Sequence, residues 1–241
     1  MNTVIISQAR MTSTRLPGKV LKEVLGKPLL WYQLTRLRQV KSADCIVVAT
    51  TQNSTDDPVV DFCKSMEVQC FRGSEDDVLA RFYKAASFIK ADAVVRVTAD
   101  CPLVDPEVID TVIRYFKDNN FDYVSNTLER SYPRGLDVEV FSYKALAEAY
   151  YRAVLPAERE HVTPFLYCRT GEYKVGNVKS KEDNSKHRWT VDTIEDFELI
   201  KEMLEYLYPI NPSFSLEDCI QAHRKHPHWA KINAHVEQKR T

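Results

Sequence analysis

Neither of the glycine-rich loops that commonly cradle phosphates occurs in this sequence: there is no G-x-x-x-x-G-K-[ST] and no G-x-G-x-x-G. Any phosphate site must therefore be built another way. A charge excess is missing too, with 33 Lys and Arg against 34 Asp and Glu in 241 residues. Broad binding to nucleic acid or to an anionic membrane needs such an excess, so neither partner is expected, and a local basic cluster becomes informative. No apolar run approaches membrane-spanning length, and the N-terminus has no basic segment leading into a secretory apolar stretch. A cytoplasmic protein is the expectation. The six cysteines include no C-x-x-C pair. They read as reduced structural thiols, with Cys45, Cys63 and Cys70 lying in apolar runs where cysteine is an ordinary core residue. Repeats, low-complexity tracts and linkers are absent.

What is present is a regular alternation. With 44% apolar residues the chain can bury a substantial core, and its length suits one domain with a modest insertion. The runs Val4–Ser7, Cys45–Thr50, Glu67–Phe71 and Ala93–Thr98 read as strands. Between and after them come helical segments: Leu30, Leu34, Leu37 and Val40; "DDPVVDFCKSM"; Val78, Phe82, Ala86 and Ile89; then Val108, Ile109, Val112, Ile113 and Phe116. Repeated β-α units with apolar strands imply a mostly parallel sheet covered by helices on both faces. Past Phe121–Ser125 the rhythm breaks. "NTLERSYPRGLDVEVFS" holds a turn and an alternating stretch in which Arg134, Gly135, Asp137 and Glu139 look like a rim. Helices are expected about residues 144–153 and 157–169, and strands near Tyr173–Val178 and across "HRWTVD". Thr193-x-x-Asp196 and Ser215-x-x-Asp218 are capping boxes that open the last helices. The reading is a single domain, 1–241, with an embellishment near 126–180.

The stretch after the first strand, "QARMTSTRLPGK", gathers Arg10, Arg15 and Lys19 with the hydroxyls of Thr12, Ser13 and Thr14. In an open α/β sheet, ligands sit beyond the carboxyl ends of the strands, and guanidinium forks with a lysine suit phosphate oxygens. The same basic loop is also what a solvated surface turn looks like. Asp100 ends "VVRVTAD" and Asp192 ends "RWTVD", where a carboxylate either holds a metal beside phosphates or caps a helix. Asp76 and Asp77 suit a first helical turn. Arg96, inside a strand, either pairs with an acid or points into the site. His223, His226 and His228 cluster without a cysteine or acid to complete a zinc set, and read as a surface group at a helix end.

"QARMTSTRLPGKVL" with "GKPLL" resembles the N-terminal signature of the cytidylyltransferases that make CMP-activated sugar acids, in particular their spore coat polysaccharide biosynthesis protein F branch. "FRGSEDDVLARF", "VVRVTADCPLVDP", "YPRGLDVEVFS", "EHVTPFLY", "RWTVDTIEDFELI" and "INAHVEQK" resemble successive blocks of that branch in the same order. The resemblance implies a three-layer α/β/α, Rossmann-like fold of the nucleotide-diphospho-sugar transferase type. It also implies transfer of CMP from CTP to a small-molecule acceptor with release of pyrophosphate, for surface polysaccharide or glycoconjugate synthesis. The acceptor is a sugar acid or a phosphorylated or phosphonate compound. It implies Mg2+ on Asp100 and Asp192, with Arg10, Lys19 and Asp100 catalytic. The nucleotide set is Gln8, Ala9, Arg10, Met11, Ser13, Arg15, Lys19 and Asp100, with Arg72, Gly73 and Ser74 at the base. Arg134, Gly135, Glu139 and His161 would meet the acceptor, and a homodimer is expected. Two other classes stay open: a glycosyltransferase of the same architecture, which calls for an Asp-x-Asp where "TADCP" has one aspartate, and a non-catalytic nucleotide-binding regulator.

Overall fold

The computed structural model describes residues 1–169 and 171–238. Thr170, inside the embellishment, and Lys239, the last residue of the C-terminal block, lie outside them. Strands come first as β1 (Thr3–Gln8), a small hairpin of β2 (Glu23–Val24) and β3 (Lys27–Pro28), then β4 (Cys45–Thr51), β5 (Gln69–Gly73), β6 (Ala93–Thr98), β7 (Tyr123–Ser125), β8 (Glu139–Ser142) and β9 (Val175–Asn177). The helices are α1 (Leu29–Leu37), α2 (Asp57–Ser65), α3 (Val78–Ile89), α4 (Pro106–Asn119), α5 (Tyr143–Arg152), α6 (Pro156–His161), α7 (Pro164–Tyr167), α8 (Ile194–Ile210), α9 (Leu216–Lys225) and α10 (Trp229–Ile232).

The main sheet has seven strands in the order β5-β4-β1-β6-β8-β7-β9. Pairings β1–β4, β1–β6, β4–β5 and β7–β9 are parallel, and β8 alone runs against its neighbours. The pleat splits the strand side chains between two cores. Ile5 and Val95 pack on one face with Leu30, Ile109 and Leu204, while Val4, Ile6 and Val94 pack on the other with Leu79, Phe82 and Leu146. A sheet buried on both faces needs near-continuous apolar strands, which is the pattern the sequence carries. The chain walks from β1 out to β5 and then returns to β6 on the far side of β1. That reversal places a crevice beyond Gln8 and Thr98, where such sheets bind ligands.

Two expectations change in the second half of the chain. "HRWTVD" joins no strand of the sheet; it runs beside Arg134 through one isolated bridge, with Arg134 N–H donating to His187 O at 3.0 Å and Trp189 N–H to Arg134 O at 2.7 Å. The helix expected over 157–169 is broken into α6 and α7. Val162 sits between them at φ 72° and ψ −53°, and Thr163 N–H donates to His161 O at 2.9 Å. This is a γ-turn of the rare positive-φ hand, a strained conformation for a β-branched residue. Both capping boxes form as read: Thr193 caps α8 and Ser215 caps α9, each answered by the aspartate three residues on.

Candidate active site

The basic loop is pinned from below before it presents any charge. Asp56 is fully buried and accepts from Met11 N–H at 2.7 Å, from Thr51 N–H at 3.1 Å and from the hydroxyls of Thr50 and Thr51. Burial alone would push its carboxyl up, but these donors hold it below the ordinary value, so it stays an anion that anchors the loop. Gly18 N–H closes the loop onto Met11 O at 2.9 Å, and Gly18 takes φ 69°, a left-handed turn that glycine adopts without strain. Lys19 follows at the start of a 3₁₀ turn and is delivered into the crevice.

Lys19 Nζ lies 2.7 Å from Asp100 Oδ2 and 2.9 Å from Asp192 Oδ1. Burial pushes its ammonium down, and the two carboxylates more than reverse this, so it is held above its ordinary value. Asp192 is pushed up by burial and brought below its usual range by Lys19, Arg15 and Arg188. Arg15 Nη2 and Arg188 Nη2 each reach Asp192 Oδ2 at 2.9 Å. Two aspartates 92 positions apart in sequence thus converge on one point, which a cation fills. One or two carboxylates beside phosphates and water is also the set that magnesium prefers, so the arrangement fits a divalent ion. Among the described residues no third Asp, Glu, His or Cys completes an all-protein metal cage.

Three chambers adjoin in this crevice. The first, about 240 Å³, is lined by Gln8, Arg10, Ser13, Arg15, Lys19, Asp100 and Asp192. The second, about 400 Å³, shares Gln8, Arg10, Thr98 and Glu160 with it and adds Glu75 and Asp76. The third, about 450 Å³, shares Arg96, Thr98 and His161 with the second and reaches Thr127, Arg134 and Tyr167 in the embellishment. Gln8 Oε1 is buried here without a hydrogen-bond partner. Ala9 is buried, its N–H extending the β1–β4 ladder to Ala49 O at 3.1 Å.

Several residues do other work than their sequence positions suggest. The Arg72 guanidinium is committed to Asp57 at 2.7 Å and to the carbonyls of Thr51 and Asn53, and lines none of the three chambers. Gly73 makes room for Arg81, since a Cβ there would stand 2.9 Å from Arg81 Cγ. Arg81 is buried, gives Nη1 to Ser74 O at 2.8 Å, leaves Nε and Nη2 unpartnered, and is pushed down to about 10, by burial first and then by Arg10. Ser74 Oγ accepts from Asp77 N–H; Asp77 is the N-cap of α3, whose first turn holds no acid, and Asp76 lies ahead of the helix and lines the second chamber. Glu139 is no rim residue. It is buried in β8, pairs with Arg96, and accepts from the hydroxyls of Tyr123 and Thr163, so both oxygens are taken. Gly135, at φ 104°, faces protein: a Cβ would stand 2.5 Å from Trp189 O, and its role is to let the embellishment approach the segment that carries Asp192. Arg134 has no carboxylate partner among the described residues, and it lines the third chamber with His161. His223 is buried against Trp189, Trp229 and His187 rather than lying at the surface.

Glu75 and Glu160 carried no sequence signal. Glu75 accepts from Thr12 Oγ1 at 2.7 Å and stands 3.9 Å from Arg10. Glu160, one residue before His161, lines the first and second chambers and has no cationic partner among the described residues.

Comparison with known proteins adds the following. A family model described as cytidylyltransferase matches residues 4–223. Spore coat polysaccharide biosynthesis protein SpsF of Bacillus subtilis is 36% identical over 213 residues, spanning 85% of this chain and 88% of its own. A 3-deoxy-manno-octulosonate cytidylyltransferase of Chlamydia trachomatis is 31% identical over 179 residues, spanning 70% and 68%. A solved cytidylyltransferase from Leptospira borgpetersenii superposes with a TM-score of 0.92 over 100% of both chains, at 34% identity.

Proposed function

The chain belongs to the cytidylyltransferase family, and from that premise we propose that it moves CMP from CTP onto a sugar acid, releasing pyrophosphate. The observation that carries this is the convergence of Lys19, Arg15, Asp100 and Asp192 at the end of β1, beside a chamber that Arg134 lines with no carboxylate partner among the described residues. The triphosphate lies in the first chamber against Arg10, Arg15 and Lys19. Its nucleoside takes the second chamber, where a donor group satisfies Gln8 Oε1, while Met11 and Ser74 line none of the three chambers. The acceptor takes the third, its carboxylate at Arg134 and its hydroxyls among Thr127, His161 and Tyr167.

The acceptor oxygen attacks the α-phosphorus in line, the bond to the β-phosphate breaks, and pyrophosphate leaves. Charge grows on the phosphate oxygens as this happens, and fixed cations in a water-poor crevice stabilise it far better than water does. Asp100 and Asp192 are the residues that would hold Mg2+, which would supply further charge neutralisation on the phosphates. An attacking hydroxyl must also lose its proton, and Glu160, which lines the triphosphate and nucleoside chambers one residue before His161, is a carboxylate with no cationic partner among the described residues. A glycosyltransferase is disfavoured because Thr98 and Pro102 stand where an Asp-x-Asp around Asp100 would place the second carboxylate. A phosphorylated acceptor is the second reading, since Arg134 suits phosphate as well.

We read the chain as one domain working as a cytoplasmic homodimer. Tyr151, in the last turn of α5, with Val154 and Leu155 just after it, 74%, 81% and 57% exposed, form an apolar tip that a second copy would cover. Multi-angle light scattering at two monomer masses supports this, and a monomer at micromolar concentration refutes it.

The functional test is pyrophosphate release with Mg2+ and CTP, GTP, UTP, ATP or dTTP against sugar acids, sugar phosphates and phosphonates. Release is expected with CTP and a sugar acid, and Asp100→Asn and Asp192→Asn each lower it by about a hundredfold or more. Equal turnover in the variants overturns the assignment of the aspartates.

A further inference from the structure

Beyond Arg134, away from the nucleotide crevice, lies a cavity of about 640 Å³, larger than any of the three chambers and unused by the reaction described above. Arg134, Lys186, Arg188 and Arg224 line it, and among the described residues no carboxylate does. Arg188 is paired with Asp192 and Asp196, and Arg224 with Glu182 at 3.4 Å. Lys186, like Arg134, has no carboxylate partner among the described residues. In a chain of net charge −1, a pocket in which two of four lining cations lack a carboxylate partner is locally positive.

Its other walls say what kind of anion it suits. Leu199, Ile220 and Pro227 give it an apolar floor, and Asn184 and Ser185 add hydrogen-bonding edges. A bare phosphate or sulfate would leave that floor wet and most of the volume unfilled. The His187 ring, stacked on Trp189 at 5.2 Å between centroids, is held near pKa 4, by burial first and then by His223, Lys186 and Arg224. It is neutral at physiological pH and offers a flat ring rather than another charge.

We propose that this cavity is a second, regulatory site for a nucleoside monophosphate, with the phosphate between Lys186 and Arg224 and the base on the apolar floor. One such ligand, CMP, is released when the CMP ester that the reaction makes gives up its sugar to a transferase; the proposal rests on the cytidylyltransferase reading for that source. Coupling to catalysis is direct. Arg188 lines the cavity and holds Asp192 Oδ2 at 2.9 Å, so an anion that draws Arg188 toward itself loosens one of the contacts positioning that aspartate.

Equilibrium dialysis with CMP tests this on the wild type, on Lys186→Glu/Arg224→Glu and on Lys19→Met. Lys186 and Arg224 are exposed, and neither lines the catalytic chambers. Two CMP per chain are expected in the wild type and one in each variant. Inhibition of turnover by CMP should change from mixed to purely competitive against CTP in the double variant, whose uninhibited rate is unchanged. One CMP per wild-type chain, lost in Lys19→Met, overturns the second site, as does a double variant that still binds two. CTP dialysed in parallel keeps the two readings apart. CTP binding lost in Lys19→Met upholds the crevice whatever the CMP count, and its absence from the wild type counts against the crevice alone.

Discussion

Lys19, Asp100 and Asp192 form one charged cluster, and its state follows from their mutual effect. Lys19 is held above its ordinary 10.5 and Asp192 below its ordinary 3.8. Their stabilising contribution is therefore present from about pH 3.8 upward; it is lost in acid as pH falls through the depressed Asp192 value, and in alkali as pH rises through the raised Lys19 value. The site is charged as described across the neutral range. Residue types that advertise chemistry were legible in sequence: two Asp after apolar runs and three cations in one loop. Asp56 was not, because nothing local marks a carboxylate as the anchor of a backbone 45 positions away. Glu139 misled for the opposite reason, since alternation near a Pro-Gly turn looks exposed while its partners Arg96, Tyr123 and Thr163 arrive from elsewhere in the chain. Gly135 gives the sharpest prediction at this scale. Gly135→Ala, with a Cβ 2.5 Å from Trp189 O, is expected to destabilise the fold by about 2–3 kcal/mol and to impair turnover by moving the segment that carries Asp192. Urea unfolding with a parallel rate measurement checks it, and a wild-type midpoint would show that the two backbones can separate freely.

At the scale of elements, α6 and α7 are joined by the strained turn at Val162, which holds His161 and Thr163 on either side of it. A sequence scan for periodicity saw one helix here, because valine gives no hint of positive φ and Pro164 sits where it can also open a new helix. The strain is retained because Val162 is buried in the core against the sheet. Replacement by glycine relieves roughly 1–3 kcal/mol of strain and forfeits a similar amount of apolar burial. Val162→Gly is therefore expected to change stability by less than about 1 kcal/mol, while acceptor-dependent kcat/KM falls about tenfold or more as His161 loses its fixed position. Unchanged acceptor kinetics would remove His161 from the acceptor site. The segment "HRWTVD" reads as a strand because apolar Trp189 and Val191 alternate with polar neighbours. It pairs instead with Arg134 in an isolated bridge, because Gly135 lets the two backbones meet outside the sheet.

At the scale of the molecule, the sheet and its two cores follow from a pattern any observer of the sequence can read. Apolar runs alternate with helical periodicity, and the reversal between β5 and β6 puts the crevice at the ends of β1 and β6. What the pattern does not contain is the third chamber, which depends on β8 running against its neighbours and on contacts across the embellishment. The nucleotide half of the site was thus readable from order along the chain, and the acceptor half required the fold. The central claim, cytidylyl transfer to a sugar acid, is tested most directly by the mass of the product formed from CTP and a sugar acid in the presence of Mg2+. The account predicts a CMP ester of the intact sugar acid, formed in step with one pyrophosphate. A product carrying two phosphates, formed only when the acceptor brings its own, would contradict it.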